Sequence, residues 1–341
     1  MTGHHRLHIK NNIINYHIWE NMPYTALGDG TIVEYLREDL QKANLLIEDI
    51  KNYCWIVDTG PEGINAQDIE PFRKFLVKYG VTKFGVAFTT YTNTEHLSYP
   101  AICLPDRLIV NGDWLPNLHK QNVDWANIPM THKLVCPMRR GSWSRASLAK
   151  CLFAILKPEE MVISLGTNGD YASEEKKALI LPHSWPLVVD LHTADTQMQH
   201  AFTHTKFYTA PLKIVVESSS DIDENSWTGQ FITEKTYKAL SWYQLPIWYA
   251  VPGSVERIRE QGFDVFDDVI DHSYDNVHDG WERMERMLLE LKRLLDLDTV
   301  QLRQNLWNRF ETNARLVQDL RKNSYKHHDK IAELAGRVSQ T

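Results

Sequence analysis

The feature that most constrains this chain is the alternation of short apolar runs with longer amphipathic stretches. The apolar runs predict strands at Ile13–Ile18, Cys54–Val57, Phe84–Phe88, Leu134–Cys136, Val162–Leu165, Leu187–Leu191, Ile214–Val216 and Pro246–Ala250. The amphipathic stretches predict helices at Ile32–Ala43, Ile69–Tyr79, Arg145–Leu156, Glu234–Tyr243 and Ser254–Gln261. Strands that alternate with helices indicate βαβ units, so we expect an α/β fold with mostly parallel sheets.

The length predicts two domains of this kind, followed by a helical end. The chain has 341 residues, and a typical domain has roughly 150. A polar, proline-containing segment before Leu134 predicts an acceptor-side domain over 1–128 and a donor-binding domain over 129–280. Apolar residues spaced three and four apart predict that 281–341 forms long helices packed on the body. We expect two Rossmann-like doubly wound domains, with ligands beyond the carboxyl ends of the strands.

Composition excludes several classes of protein. Hydrophobic residues make up 43% of the chain, which argues against wholesale disorder, and the net charge of −7 argues against a basic nucleic-acid coat. The first twelve residues show no secretory signal, and the longest apolar stretch, Leu245–Pro252, is far shorter than the roughly 20 residues of a membrane span. The four cysteines lack CxxC spacing. These features predict a cytoplasmic protein without a membrane span.

The chain has 15 histidines, a residue type that commonly binds metal ions. His200 and His204 lie four residues apart, but no Glu stands between them in an HExxH arrangement and no cysteine is near. We therefore predict no metal site. No GxGxxG or GxxxxGK[ST] motif is present either, which disfavours a Rossmann dehydrogenase or a P-loop NTPase.

The sharpest signal for chemistry lies between Lys213 and Tyr274, where KIVVESSS precedes DIDENSWTGQ, FITEKTYKAL and SWYQLPIWYAVPGS. The apolar run delivers Glu217 and Ser218 to the carboxyl end of a strand. Thr233 then provides an N-cap for a helix that begins TEKTYKAL. The start of such a helix offers unpaired N–H groups and the positive end of a dipole to an anion.

The first turn of this helix suits a nucleotide diphosphate. A cation in the first turn interacts unfavourably with the helix macrodipole, at a cost of about 0.3–1 kcal/mol. A lysine at this position, Lys235, is therefore better explained by a role in binding phosphate than by helix stability. Glu234 could accept hydrogen bonds from two ribose hydroxyls. The alternative is a capped surface helix in which Glu234 and Lys238 form an ordinary i,i+4 pair.

A second basic element follows the predicted strand at Leu134–Cys136. Arg139, Arg140 and Arg145 surround a predicted helix start, where guanidinium groups would suit a diphosphate or a phosphodiester. The alternative is a set of solvated arginines beside a helix cap.

A general base is expected from the first domain. The segment CWIVDTGPEGINAQD places Asp58 at the end of an apolar strand and Glu62 in the turn that follows. A carboxylate at either position could deprotonate an acceptor hydroxyl. The alternative is an Asp that merely begins a turn.

The order of these elements resembles the donor-binding half of the α-1,3-fucosyltransferase family, which has a fENs…dYvTEKlynAl…PVyyG run. The segment TEKTYKAL…LPIWYAVPGSVERIREQGFDVFDDVIDHSYD is also similar to phage and giant-virus proteins with a TEKtfKp…PFi…Gfktf…iDesYD pattern. The resemblance covers about residues 132–320 and is specific over 213–274. It implies a GT-B-like glycosyltransferase fold.

The resemblance also implies roles for single residues. Glu234 corresponds to the ribose-binding Glu, Lys235 to the phosphate-binding Lys, and Arg145 to a basic residue that binds phosphate. Glu217 corresponds to the acidic residue near the donor sugar, while Ser218 stands where the family has Asn. The predicted donor-binding set is Glu217, Ser218, Thr233, Glu234, Lys235, Lys238, Arg139, Arg140 and Arg145.

Together with the resemblance, these observations predict a viral, inverting and metal-independent glycosyltransferase without a cofactor, which uses a nucleotide-diphosphate sugar as co-substrate. The acceptor could be a glycan, a hydroxymethylated base in phage DNA, or a small molecule. The overall acidity disfavours DNA, whereas the arginine loop and the end of the chain favour it, since residues 281–341 hold 12 Lys and Arg against 9 Asp and Glu. The alternatives are a non-catalytic nucleotide- or glycan-binding module and a structural virion protein.

Overall fold

A computed structural model describes residues 7–18, 32–59, 66–89, 94–95, 97–104, 124–138, 142–165, 205–217, 230, 232–323 and 326–340. The strands are β1 (Leu7–Lys10), β2 (Ile13–His17), β3 (Cys54–Asp58), β4 (Phe84–Phe88), β5 (Ala101–Cys103), β6 (Leu134–Met138), β7 (Met161–Leu165), β8 (Leu212–Val216) and β9 (Leu245–Tyr249). The α-helices are α1 (Ile32–Lys42), α2 (Ala66–Lys78), α3 (Trp143–Ile155), α4 (Glu234–Ser241), α5 (Ser254–Glu260), α6 (Gly280–Leu295), α7 (Thr299–Asn305), α8 (Trp307–Lys322) and α9 (Lys326–Gln340).

The chain divides into two compact units. The first combines residues 1–111 with residues 322–341, and the second contains residues 112–321. The sequence placed the division at 128/129 and kept 281–341 together as one helical segment. In the structure that segment is shared, because α9 belongs to the first unit while α6 and α7 belong to the second.

The first unit contains a five-stranded sheet in the order β1-β2-β3-β4-β5. Strand β1 is antiparallel to β2, and the other neighbouring pairs are parallel. The strand order therefore follows the chain, without the reversal that defines a doubly wound sheet. That reversal was predicted for both domains, and among the described strands it occurs only in the second sheet.

Helices cover both faces of the first sheet, as a parallel sheet requires. On one face the apolar residues of α1 and α2, including Leu36 and Phe72, pack against Trp55 of β3. On the other face α9 packs Leu334 and Val338 against β3 and β4, in a cluster that also contains Cys54, Ile56, Ala87, Leu104 and Ala335. The last helix of the chain thus completes the core of the unit that the first strands begin.

The second unit contains a four-stranded parallel sheet in the order β7-β6-β8-β9. Leu212, Ile214 and Val216 of β8 face a large core together with Leu148 of α3 and Met287 of α6. The buried guanidinium of Arg303 in α7 ties this unit together by donating to the carbonyl oxygens of Tyr243, at 2.8 Å, and Trp125, at 2.7 Å.

The α/β class with parallel sheets is confirmed, and each strand predicted within the described ranges is present within two residues. The predicted strand at Leu187–Leu191 lies outside those ranges. The sequence analysis missed the two outer strands of the first sheet, β1 and β5, whereas α9 lies within the helical segment predicted over 281–341. Trp281 is the first of the apolar residues whose spacing predicted helices packed on the body over 281–341, but in α6 it is 45% exposed.

Two glycines test the packing of α9 on the first sheet. A methyl group on Gly85 of β4 would lie 2.6 Å from Cγ2 of Val338 and 3.3 Å from Cδ1 of Leu334. A methyl group on Gly336 of α9 would have no neighbouring atom within 4 Å. We expect Gly85→Ala to destabilise the protein by roughly 1–3 kcal/mol through overpacking. Gly336→Ala should stabilise it by roughly 0.5–1 kcal/mol through helix propensity. Urea unfolding of both variants checks this, and changes of the same sign would contradict the packing of α9.

A buried carboxylate caps helix α5 in the second unit. Oδ2 of Asp275 accepts hydrogen bonds from the N–H groups of Val255, at 2.9 Å, and Glu256, at 3.4 Å. Burial nevertheless raises the pKa of Asp275 from 3.8 to about 6, while those N–H groups and the charge of Arg283 act in the opposite direction. Desolvation therefore outweighs the favourable contacts at this cap.

The raised pKa gives a pH dependence with a defined sign. The folded carboxyl group holds its proton more tightly than the unfolded one, so the contribution of Asp275 to stability becomes more favourable as the pH falls from about 6 to 3.8. Asp275→Asn removes this dependence while keeping an oxygen for the α5 N–H groups. Between about pH 7 and pH 4, the unfolding free energy of the wild type should therefore rise relative to the variant by up to roughly 3 kcal/mol.

Asp267→Asn is the control for this measurement. The hydrogen bond from Arg259 is the chief cause that lowers the pKa of the Asp267 carboxyl below 3.8. Between about pH 7 and pH 4 the stability of the wild type relative to Asp267→Asn should therefore stay nearly constant, and the wild type should lose stability only as the pH falls below about 4. Denaturant unfolding at a series of pH values gives both differences. A flat or falling difference for Asp275→Asn would contradict the raised pKa.

Candidate functional site

The strand order of the second sheet reverses between β6 and β8. From β6 the chain passes through α3 to β7 on one side, and from β8 it passes through α4 to β9 on the other. Helix α3 packs on the sheet face that carries Ile214, and α4 contacts Glu217 on the opposite face. In open parallel sheets, ligands bind at such a switch point, beyond the carboxyl ends of the strands.

Glu217, the residue after β8, fixes the start of α4. Its carboxylate is 1% exposed. Oε1 accepts hydrogen bonds from the N–H of Thr233, at 3.1 Å, and the hydroxyl of Thr236, at 2.6 Å, and Oε2 accepts one from the hydroxyl of Thr233. Trp248 extends this network by donating its indole N–H to the Thr236 hydroxyl at 3.1 Å. The carboxylate is therefore engaged inside the protein, and its predicted contact with a donor sugar stays a prediction.

Thr233 is the N-cap of α4, as the sequence predicted. Its hydroxyl oxygen accepts a hydrogen bond from the N–H of Lys235 at 3.3 Å. The sequence analysis did not single out Thr236 or Trp248. Thr236 could have been identified from the sequence, because a second threonine in the first turn of a helix can form a hydrogen bond to a group beyond the helix start.

Arg145 links the start of α3 to the same point. Ser142 caps α3 by accepting a hydrogen bond from the N–H of Arg145 at 3.3 Å. Nη2 of Arg145 donates to the carbonyl oxygen of Glu217 at 3.1 Å, and the side chain is buried. The starts of α3 and α4 thus meet at Glu217, with one predicted phosphate-binding residue in the first turn of each helix.

Two predicted ligands remain accessible at the start of α4. The side chains of Lys235 and Glu234 are 30% and 25% exposed, and Nζ of Lys235 lies 3.7 Å from Oε1 of Glu234. The same ammonium group donates to the hydroxyl of Thr233 at 3.1 Å. A cation and a carboxylate at a helix start can bind a phosphate and a hydroxyl group, respectively.

The predicted ligand Lys238 lies one turn further along α4 and is partly buried. Burial lowers its pKa, with the charge of Lys235 acting in the same direction and that of Glu234 in the opposite one. Beneath it, Lys213 of β8 is fully buried, with Nζ 3.8 Å from the centre of the Trp242 ring. Burial also lowers the pKa of Lys213 well below its usual range. Glu234 and Lys238, the alternative i,i+4 pair predicted from the sequence, are therefore both partly buried rather than fully solvated.

Lys213 and Glu217 occupy the same face of β8 at opposite ends of α4. Glu217 bonds to the helix start, whereas Lys213 contacts Trp242, the C-cap residue. A negative charge at the start of a helix and a positive charge at its end both complement the macrodipole. The two buried ionisable side chains of this strand region thus lie at the two ends of α4.

In the first unit, the predicted base Asp58 ends β3 and is 1% exposed. Its Oδ2 lies 3.0 Å from Nδ1 of His17, the last residue of β2. The sequence analysis missed His17, although it lies next to the end of the strand predicted at Ile13–Ile18. Glu62, Ser218, Arg139 and Arg140 lie outside the described residues, as do His200 and His204.

Comparison with protein-family models finds no matching family, and comparison with curated proteins finds no match. Within the described part of the chain, no helix is long and apolar enough to cross a membrane. Over the same residues, no three His, Cys, Asp or Glu side chains gather in a way that could hold a metal ion.

Replacing Glu217 tests whether its carboxylate organises the start of α4. Glu217→Ala would leave the N–H and hydroxyl groups of Thr233 and the hydroxyl of Thr236 without their buried acceptor. We expect a loss of roughly 2–5 kcal/mol in the free energy of unfolding. The control, Glu234→Ala, removes a more exposed carboxylate and should change stability by less than roughly 1 kcal/mol. Equal effects in urea unfolding would show that Glu217 has no special structural role.

Proposed function

We propose that the protein is a glycosyltransferase that moves a sugar from a nucleotide-diphosphate donor to an acceptor hydroxyl. The observation that supports this most directly is the switch point between β6 and β8, where α3 and α4 begin beside the same residue, Glu217. Two helix starts at one sheet edge, with the partly exposed Lys235 in the first turn of α4, suit a diphosphate. The resemblance of the TEK segment to glycosyltransferases supplies the reaction class.

In this proposal the donor occupies the carboxyl edge of the second sheet. Lys235 contacts the diphosphate, Glu234 accepts hydrogen bonds from ribose hydroxyls, and Arg145 holds the strand and helix ends in place through Glu217. As the bond from the anomeric carbon to the diphosphate breaks, the positive charge of Lys235 and the start of α4 stabilise the leaving group. The reaction is inverting and needs no metal, and the two α/β units form a GT-B-like enzyme.

The proposed acceptor is a glycan or a hydroxymethylated base in DNA, in a viral setting. These acceptors differ in their response to salt, because binding to duplex DNA releases counterions and weakens steeply as salt increases. A glycan acceptor has no such dependence.

A thermal-shift panel of GDP, UDP, ADP and CMP tests the donor site. A nucleotide at about 100 times its dissociation constant should add about 2.7 kcal/mol of stability. We expect one nucleotide diphosphate to stabilise the wild type and Lys235→Ala to lose most of that effect. Lys292→Ala, which removes an exposed lysine of α6, should respond like the wild type.

The results of this thermal-shift panel distinguish the proposed enzyme from a structural protein and from a non-catalytic binding module. No stabilisation by any of the four nucleotides would contradict a nucleotide-sugar enzyme and favour a structural protein. Stabilisation without sugar transfer or donor hydrolysis would favour a non-catalytic binding module. Equal loss in both lysine variants would show that the effect is non-specific electrostatics.

A further inference from the structure

The turn between β9 and α5 holds the segment that leads into α4. Nε2 of Gln230 donates to the carbonyl oxygen of Pro252 at 3.0 Å, and Oε1 of the same side chain accepts a hydrogen bond from Nε of Arg257 at 3.1 Å. Pro252 lies in the turn, and Arg257 lies in α5. One side-chain amide thus uses both its donor and its acceptor to fasten the approach to α4.

Gly253 allows this contact to be close. Its φ of +78° lies in the left-handed region, which glycine adopts without strain. A methyl group at this position would lie 2.7 Å from Nε2 of Gln230. The glycine therefore serves both the shape of the turn and the approach of the amide.

The turn is itself anchored from the opposite side by Asp275. The N–H of Gly253 donates to the carbonyl oxygen of Asp275 at 2.9 Å, and the carboxylate of the same residue accepts a hydrogen bond from the N–H of Val255 at 2.9 Å. Neither bond involves α4. The partners of Gln230 thus belong to a turn that is held in place independently of the helix that Gln230 precedes.

The other end of the same short segment is held by Glu217. Thr233 bonds to that carboxylate through its N–H and its hydroxyl, and Ile232 between the two anchors is buried. The N–H of Glu217 donates to the carbonyl oxygen of Tyr249 at 3.0 Å, so the ends of β8 and β9 are adjacent. The start of α4 is therefore fixed by one contact from each of two neighbouring strand ends.

We propose that Gln230 is a positioning residue for the binding of the nucleotide diphosphate, and that it acts by fixing the start of α4. This inference rests on the proposed function. Lys235 follows the cap residue Thr233 by two positions, so a displaced cap moves both the ammonium group and the N–H groups of the first turn. Hydrogen bonds to phosphate depend on distance and direction, and a displacement of about 1 Å can cost a site up to roughly 10²-fold.

Two glutamines provide a matched pair of variants. Gln230→Met keeps most of the side-chain volume and removes both hydrogen bonds at the approach to α4. Gln261→Met removes the oxygen that accepts a hydrogen bond from the hydroxyl of Tyr237 at 3.0 Å, which links the end of α5 to the middle of α4. Both substitutions loosen a contact of α4 with the region of α5, but only the first does so before the cap.

Hydrogen exchange of the full chain without nucleotide tests the positioning itself. The N–H groups of Thr233 and Lys235 bond to Glu217 and to the Thr233 hydroxyl, respectively. We expect these amides to exchange roughly tenfold faster in Gln230→Met, because the segment before them is released. Gln230→Glu keeps an acceptor for Arg257 and loses the donor to Pro252, so its increase should be smaller. In Gln261→Met these two amides should exchange as in the wild type.

Isothermal titration with the nucleotide that stabilises the wild type most tests the functional consequence. We expect Gln230→Met to raise the Kd roughly tenfold, since the substitution displaces the phosphate-binding groups without removing any of them. Gln261→Met should keep a Kd close to that of the wild type.

Each result bears on a different step of the inference. Unchanged exchange at Thr233 and Lys235 in Gln230→Met would overturn the positioning role, whatever the protein binds. Faster exchange with an unchanged Kd would show that the start of α4 does not need this contact to bind nucleotide, and would also overturn it. An equal loss of affinity in Gln261→Met would attribute the effect to general loosening of α4. A wild type that binds none of the nucleotides would overturn the proposed function, and this inference with it.

Discussion

The carboxylate of Glu217 is the interaction on which the second unit depends. A buried carboxylate is stable only when donors satisfy it, and here they come from the first turn of α4. This fixes where α4 begins relative to the end of β8. Arg145 brings the start of α3 to the same residue through its carbonyl oxygen. Lys235 and Glu234, by contrast, remain partly exposed at the start of α4.

Asp275 provides an instructive contrast with Glu217. Both are buried carboxylates at the start of a helix, but two hydroxyls reach Glu217, while Asp275 relies on backbone N–H groups and the charge of Arg283. Desolvation dominates at Asp275 and raises its pKa. A cap of this kind holds α5 in place at neutral pH at a cost in stability, which protonation removes.

Both sheets must be covered on two faces, and the two units do this differently. In the second unit, α3 and α4 lie on opposite faces because the strand order reverses. The first sheet keeps its sequential order, and the end of the chain supplies α9 for its second face. Gly85 permits the close approach of Leu334 and Val338. The first unit is therefore completed only after the second has been synthesised.

The local elements follow from the amino-acid sequence alone. The apolar runs of the described strands, the helix at Glu234–Ser241 and the cap at Thr233 depend on side-chain period and capping chemistry, which involve near neighbours in the chain. The inward orientation of Glu217 depends instead on tertiary packing, because Lys213, Val215 and Glu217 share a face that is buried only when α4 packs on it. The tertiary structure also determines that His17 meets Asp58 and that α9 covers the first sheet. Pairing register and the choice of covering helix depend on burial between distant segments, which the local pattern does not encode.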